Sequence, residues 1–205
     1  ISSTTVYARI SSTTIPGTYN SQNIQFTSTG ATTKTISTTS SGNTVSQKAL
    51  TVTSAQAQNK VYDGTNTATI TGTLSGIVGT DNVIFNGQGT FAQSNAGTNI
   101  NVTSTSTLTG SQSTYYTLTQ PTGLTATISK ATQTIEFTNL PVLASDDPDF
   151  TPDVTTSSGL TVSFESSNTD VATIVAGKIH VVGLGQSTIT ATQLGNVNYL
   201  EATAQ

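Results

Sequence analysis

The chain has 205 residues, of which only 8% are charged and 33% hydrophobic, with a net charge of −4 and no Cys, Met or Trp. Its six Lys and Arg residues are spread along the chain and cannot assemble the basic patch that nucleic acid requires. Absence of Cys removes disulfide staples and thiol chemistry, and no apolar run is long enough to span a bilayer, so no membrane insertion is expected. Nothing resembles a signal peptide. The space between the hydrophobic residues is filled by Ser and Thr. Thr is β-branched and suits exposed strand faces, so a Thr-rich chain with 17 Gly residues reads as β structure. The hydrophobic content suffices for thin sandwich cores and not for one deep core.

Residues 1–47 alternate as strands do. Val6, Ala8 and Ile10 fall on one face, with Tyr7 and Arg9 on the other. Pro16-Gly17 marks a turn, Ile24 and Phe26 share a strand face, and 34–38 runs extended with Ile36 expected inward. These are too few strands to close a sandwich, so the segment reads as the back half of a β module. The run Thr-Val-Tyr-Ala-Arg-Ile (5–10), then Pro-Gly-Thr-Tyr (16–19), then 24–36, resembles the C-terminal half of an Ig-like repeat common in secreted proteins of Bacteroidetes-type bacteria.

Residues 48–130 form a second module. It opens with a strand at 48–52 and turns at Tyr62-Asp63-Gly64, where Asp-Gly supplies the positive φ of a tight turn. Further strands are predicted at 68–72, 82–85, 90–92, 100–106, 116–119 and 124–128. The breaks fall at Gly76/Gly79, Gly87/Gly89, 95–97, 109–111 and Pro121. Lys48-Ala-Leu-Thr-Val, Asn59-Lys-Val-Tyr-Asp-Gly-Thr, Ala68-Thr-Ile-Thr-Gly and Tyr116-Thr-Leu-Thr-Gln-Pro resemble the YDG repeat of bacterial surface adhesins and haemagglutinins. Where that family usually carries Asn before Tyr-Thr-Leu, this chain has Tyr115. The resemblance implies a repeated extracellular module and carries over no catalytic residue.

Residues 131–205 form a third module. Strands are predicted at 133–137, 158–164, 166–174, 179–182 and 187–192, with an Asp- and Pro-rich loop at 146–153 and turns at Gly177 and 183–185. The Ser-Ser-Asn, Val-Ala-Thr, Gly and Thr-Ile-Thr-Ala series resembles bacterial Ig-like modules of the invasin and intimin kind. The tail Leu194-Gly-Asn-Val-Asn-Tyr199 resembles a variant found beside YDG repeats. Such modules end with one more strand after that Tyr, and Gln205 is read as stopping short of it, so the closing strand is expected either beyond Gln205 or from elsewhere. The chain opens mid-pattern at Ile1 and stops after a loop, as a piece of a longer protein would. No Pro-rich or Gly/Ser linker separates the modules, so they are expected to stack as a stiff rod, with bending confined to 40–47.

Calcium takes hard oxygen ligands from clustered carboxylates, which makes Asp147, Asp149 and Asp153, beside Asp146, the candidate metal ligands. The alternative is a solvated acidic loop, because the spacing lacks the Gly and distal Glu of an EF-hand. His180 is the sole histidine and reads as an outward-facing strand residue. Glu136, Glu165 and Glu201 read as surface residues, so no carboxylate pair for hydrolysis is assembled. Lys60 beside Tyr62 and Asp63 raises a Lys–Asn or Lys–Asp isopeptide cross-link of the kind some adhesins use in place of disulfides, although the bond needs a third buried carboxylate that nothing in the sequence places. Asn101-Val102-Thr103 is an N-x-Thr sequon. Among Tyr7, Tyr19, Tyr62, Tyr115, Tyr116 and Tyr199, the pair Tyr115-Tyr116 is the candidate glycan-stacking site, since on a strand one of the two points outward.

The expected fold is therefore all-β, with tandem Ig-like β-sandwich modules arranged as a rod. The expected function is a stalk or adhesion repeat of a large extracellular bacterial surface protein, secreted or held at the cell surface. It has no catalytic residue and no cofactor unless calcium. Its partners are neighbouring repeats of the same protein, with surface glycans or another cell-surface molecule as further candidates. The alternatives are an accessory region of a secreted enzyme and a carbohydrate-binding module.

Overall fold

The chain is all-β. The computed structural model describes residues 14–27, 29–30, 32–138, 140–144 and 147–205. The alternation expected for residues 6–10 (Val6, Tyr7, Ala8, Arg9, Ile10) and the acidic residue Asp146 lie outside the described residues. A single 3-10 turn, Ser113–Tyr115, is the only helical segment among them. None of their helices is long and apolar enough to cross a membrane.

The first segment holds β1 (Gly17–Thr18), β2 (Asn23–Phe26), β3 (Lys34–Ser37) and β4 (Thr44–Val45). β1 pairs antiparallel with β4, and β2 with β3 in a register that sets Ile24 opposite Ile36. Ile36 does not point into a core as expected. It is 52% exposed, because every residue of β3 stays open to solvent.

The second segment holds β5 (Lys48–Ala57), β6 (Lys60–Val61), β7 (Thr67–Ser75), β8 (Ile84–Asn86), β9 (Gln88–Phe91), β10 (Gly97–Ser104), β11 (Thr107–Thr109), β12 (Tyr116–Leu118) and β13 (Leu124–Ser129). Seven of these form one sheet in the order β12-β5-β7-β9-β10-β13-β6, and β8 pairs with β11 in a separate ladder. The alternation that writes these strands is visible in β7, where Ala68 and Ile70 are buried while Thr67, Thr69 and Thr71 face water. Leu50, Phe91 and Ile128 are the largest fully buried side chains. Each contributes about 1.5–3 kcal/mol by leaving water. The break read at Gly87 is the point where the chain passes from β8 to β9. The Gly87 carbonyl accepts from the Ile70 amide at 3.0 Å, and a Cβ there would collide with the Ile70 carbonyl.

The third segment holds β14 (Ile135–Phe137), β15 (Val154–Thr156), β16 (Ser163–Ser166), β17 (Ala172–Val175), β18 (Lys178–Val181), β19 (Ile189–Gln193) and β20 (Ala202–Ala204). The pairings are β14 with β15, β17 with β18, and β16-β19-β20, all antiparallel. Ala172, Ile179 and Ile189 make its core, against which Phe137, Phe150 and Phe164 pack. The strands predicted over 158–164 and 166–174 form only as β16 and β17, because the chain turns at Gly159 (φ +71°) and again where the Val171 and Ala172 amides donate to the Asn168 carbonyl. Two further expectations are corrected. β15 arises immediately after the Asp- and Pro-rich loop, where no strand was predicted, because Val154 to Thr156 completes the ladder with β14. A strand does follow Tyr199 within the chain: β20 pairs with β19 through Ala191–Ala204 and Gln193–Ala202.

By internal contacts the chain divides into two compact units. One is made of the described residues up to Gln56 with Thr69–Gly89 and Ser104–Leu124; the other is made of Ala57–Ala68, Thr90–Thr103 and Thr125–Gln205. In the first unit, Leu50, Val83 and Tyr116 form a buried cluster. The second unit groups the Tyr62-Asp63-Gly64 turn with the whole third segment.

Candidate functional site

The second unit is built around the Tyr-Asp-Gly turn. Gly64 takes φ +80°, the left-handed conformation that its missing Cβ permits. Asp63 Oδ1 accepts from the Thr65 amide and from the Thr65 hydroxyl, each at 2.8 Å, closing an Asx turn. Lys60 Nζ donates to Asp63 Oδ1 at 2.8 Å and to the carbonyl and hydroxyl of Thr65, both at 2.9 Å. The same ammonium lies 5.7 Å from the centre of the Phe91 ring. The Lys60 hydrogen bond, helped by the two from Thr65, holds the Asp63 carboxyl down at about 2. Isopeptide formation needs a neutral amine and a carboxyl that gives up an oxygen. This geometry instead keeps Asp63 ionised in an ion pair with Lys60.

Around this turn the chain makes a joint between its second and third segments. Asn59 Oδ1 accepts from the Thr127 amide at 2.7 Å, and the Tyr62 amide donates to the Ser129 carbonyl at 2.8 Å. Two residues later, Ala131 pairs in parallel with Tyr199. Its amide donates to the Asn198 carbonyl, and its carbonyl accepts from the Leu200 amide, both at 2.9 Å. The Tyr199 ring meets the Tyr62 ring edge to face, with centroids 5.5 Å apart and planes at 78°. Such a pair adds about 0.5–1.5 kcal/mol beyond the area it buries.

Asn198 completes the joint and is only 9% exposed. Its Oδ1 accepts from the Ala96 amide at 2.9 Å, and its Nδ2 donates to Asn95 Oδ1 at 3.1 Å. Asn196 shapes the loop from beneath, its Oδ1 accepting from the amides of Asn198 (2.8 Å) and Tyr199 (2.9 Å). Behind the loop, Gln133 is 7% exposed and donates to the Leu200 carbonyl at 2.6 Å and to Gln193 Oε1 at 2.5 Å, while accepting from the Ser158 hydroxyl. A buried amide with all its partners is rigid, because each unmade bond leaves a desolvated polar group. In the sequence Asn95 and Ala96 read only as a break between strands and Gln133 only as the start of one. The Asn-Val-Asn-Tyr tail carries only a resemblance, and the side-chain partners of Asn198 lie 102 and 103 residues away.

The predicted site residues are placed separately. Asp147 caps a local turn, its Oδ2 accepting from the Ala144 amide at 2.7 Å. Asp149 Oδ1 meets His180 Nδ1 at 2.8 Å, both side chains being substantially exposed. Asp153 takes part through its backbone carbonyl, which accepts from the Thr138 amide at 3.3 Å. Among the described residues, no three His, Cys, Asp or Glu side chains are gathered as a metal would require. Glu136, Glu165 and Glu201 are exposed.

Tyr115 and Tyr116 do not form an outward aromatic platform. Tyr115 belongs to the 3-10 turn, so strand alternation does not apply to it, and it packs half-buried against the Leu50–Val83–Tyr116 cluster. Tyr116 is 5% exposed. Its hydroxyl donates to Asp81 Oδ2 at 2.5 Å and accepts from the Val78 amide at 3.0 Å. Burial, with the Asp81 carboxylate alongside, pushes its phenol above the usual value of 10. Asn101 is exposed on β10.

No curated protein and no solved structure matches this chain. The Tyr-Asp-Gly turn, the strands on either side of it and the Tyr116 strand all fall inside residues 46–123, and that stretch matches the YDG family: this part of the chain is a YDG domain.

Proposed function

We propose that this chain is a structural repeat segment of a large extracellular bacterial surface protein, in which the YDG domain and its neighbours form a load-bearing stalk. The reading is non-enzymatic, and its partners are neighbouring repeats of the same protein. The observation that carries it is the joint itself. Ala131 lies one residue after Lys130 and is already hydrogen-bonded to Asn198 and Leu200, so no free linker separates the YDG segment from the β strands that follow. Tension applied along the chain therefore loads main-chain hydrogen bonds, the Tyr62–Tyr199 contact and the Asn198 amide together. A freely jointed linker would transmit no such constraint.

The test is to pull the intact chain by its two ends and, in parallel, to label intact cells with antibodies against it. The expected result is stepwise rupture with distinct force peaks, and surface labelling without permeabilisation. Smooth extension with no peaks, or labelling only after cells are opened, would overturn the reading. Sequence flanking the chain separates the stalk from an accessory region of a secreted enzyme, since further repeats favour the first and a catalytic motif the second.

A further inference from the structure

Strand directions assign the described loop residues of the third segment to one of two ends. β19 runs toward Gln193, which bonds Gln133 beside Ala131 and the Asn196–Tyr199 loop, and this is the near end, docked on the YDG turn. β16 and β20 are antiparallel to β19 and run away from it. The loop that feeds β19, residues 183–188, therefore lies at the far end, and residues 140–144 lie against it. Between these two stretches runs an open groove of about 940 Å³ that includes Pro141, Leu143, Val171 and Ile189. Two of its apolar lining residues are as exposed as in an extended chain, Val142 at 102% and Leu184 at 98%. Single exposed apolar residues are ordinary, but two fully exposed ones rimming one groove with half-buried apolar walls mark a contact surface.

The chain itself shows what covers such an end. At the corresponding far end of the YDG segment, the turn at Tyr62 and the amides near Asn95 are covered by the next segment's near-end loop. That loop supplies one aromatic ring, Tyr199, and one amide side chain, Asn198. The far end of the third segment occupies the same place in the series, and β20 runs toward it.

We propose that the groove between residues 140–144 and 183–189 is the seat for the near-end loop of a further β module following β20 in tandem. The seated loop places an aromatic side chain against Pro141, Leu143 and Leu184, and an amide side chain on main-chain groups of 183–187. This inference rests on the stalk reading and extends it to a second joint.

The chain contains no Cys, so a single introduced thiol reports on the groove. Leu184→Cys is made both in this 205-residue chain and in the full-length gene product, and its reaction with a soluble thiol reagent is followed by the mass of the peptide holding position 184. Val175→Cys, at the opposite end of β17 and 49% exposed, is the reference. The expected result is about ten-fold or greater slowing at position 184 in the full-length product, with no change at position 175. Equal rates at position 184 in the two proteins would overturn the proposal. So would a rate in the 205-residue chain that falls with its own concentration, which would make a second copy the occupant. The pulling experiment does not involve the groove, so force peaks combined with equal thiol rates would retain the stalk and remove this joint.

Discussion

Asn198→Ala is the sharpest probe of the joint. The substitution removes the acceptor of the Ala96 amide and the donor to Asn95 while leaving the loop backbone free to pair with Ala131. A net intramolecular hydrogen bond contributes about 0.5–1.5 kcal/mol, and a buried donor left without a partner costs about 1–3 kcal/mol. Ala96 is only half-buried, so water relieves part of that cost, and the expected loss is about 2–3 kcal/mol. For a chain of this length each kcal/mol moves Tm by about 2–4 °C, which gives a fall of about 4–12 °C. Urea unfolding read by circular dichroism should show a lower midpoint at unchanged slope, the signature of altered stability rather than altered compactness. Asn198→Asp keeps an oxygen for the Ala96 amide and should lose less than the Ala variant. Val197→Ala, at an exposed neighbouring position, should stay within about 0.5 kcal/mol of the parent. An Asn198→Ala midpoint equally close to the parent would refute the joint as a stabilising contact.

Four further outcomes follow from the geometry. The Asp63 carboxyl is depressed from 3.8 to about 2 in the folded chain, so its contribution is present above 3.8 and fades as pH falls toward 2. Melting temperatures across that window should fall less steeply for Asp63→Asn than for the parent, and parallel curves would contradict the Lys60–Asp63–Thr65 arrangement. Tyr116→Phe keeps the buried ring but removes both hydroxyl bonds, one to a carboxylate, and should cost about 1.5–3 kcal/mol in urea unfolding. Gly87→Ala drives a Cβ into the Ile70 carbonyl and should cost about 3 kcal/mol or more, since backbone must move to admit it; a neutral result in the same assay would mean the β8–β9 passage is not tight. Because Asp147 is bound to the Ala144 amide and Asp149 to His180, millimolar calcium or chelator should leave the melting curve in place. A reproducible calcium-dependent rise would restore the acidic loop as a metal site.

Much of the local structure is legible in the residues. Asp63-Gly64 announces its turn because few dipeptides tolerate that backbone conformation, and Thr-Ala-Thr-Ile alternation writes β7 directly. Gly177 marks its turn for the same reason, with φ +79°, whereas Gly87 marks a close approach, since a Cβ there would collide with the Ile70 carbonyl. The readings that needed correction each depended on something outside the local window. Ile36 looked inward because alternation assumes a covered face, and the β2–β3 ladder leaves that face open. Tyr115 and Tyr116 looked like an outward pair because alternation assumes a strand, whereas a 3-10 turn begins before Tyr116 and rotates Tyr115 out of register. β15 becomes a strand only through its partner β14, directly after an Asp- and Pro-rich loop, and the closing strand expected after Tyr199 forms inside the chain as β20 because Ala202 to Ala204 pair with β19.

The sequence by itself determined that this chain is all-β and where its principal turns fall, because backbone sterics and period-two burial act within a few residues, and its motifs carried the likeness to the YDG family in its middle. The joint was decided by the tertiary structure alone. Asn198 is one Asn among many until folding brings it to Ala96 and Asn95 across 102 and 103 residues of chain. Tyr62 is likewise a turn aromatic until Tyr199 meets it edge to face. Hydrogen bonds and ring contacts act over a few ångströms, and only the closed fold puts those particular groups that close.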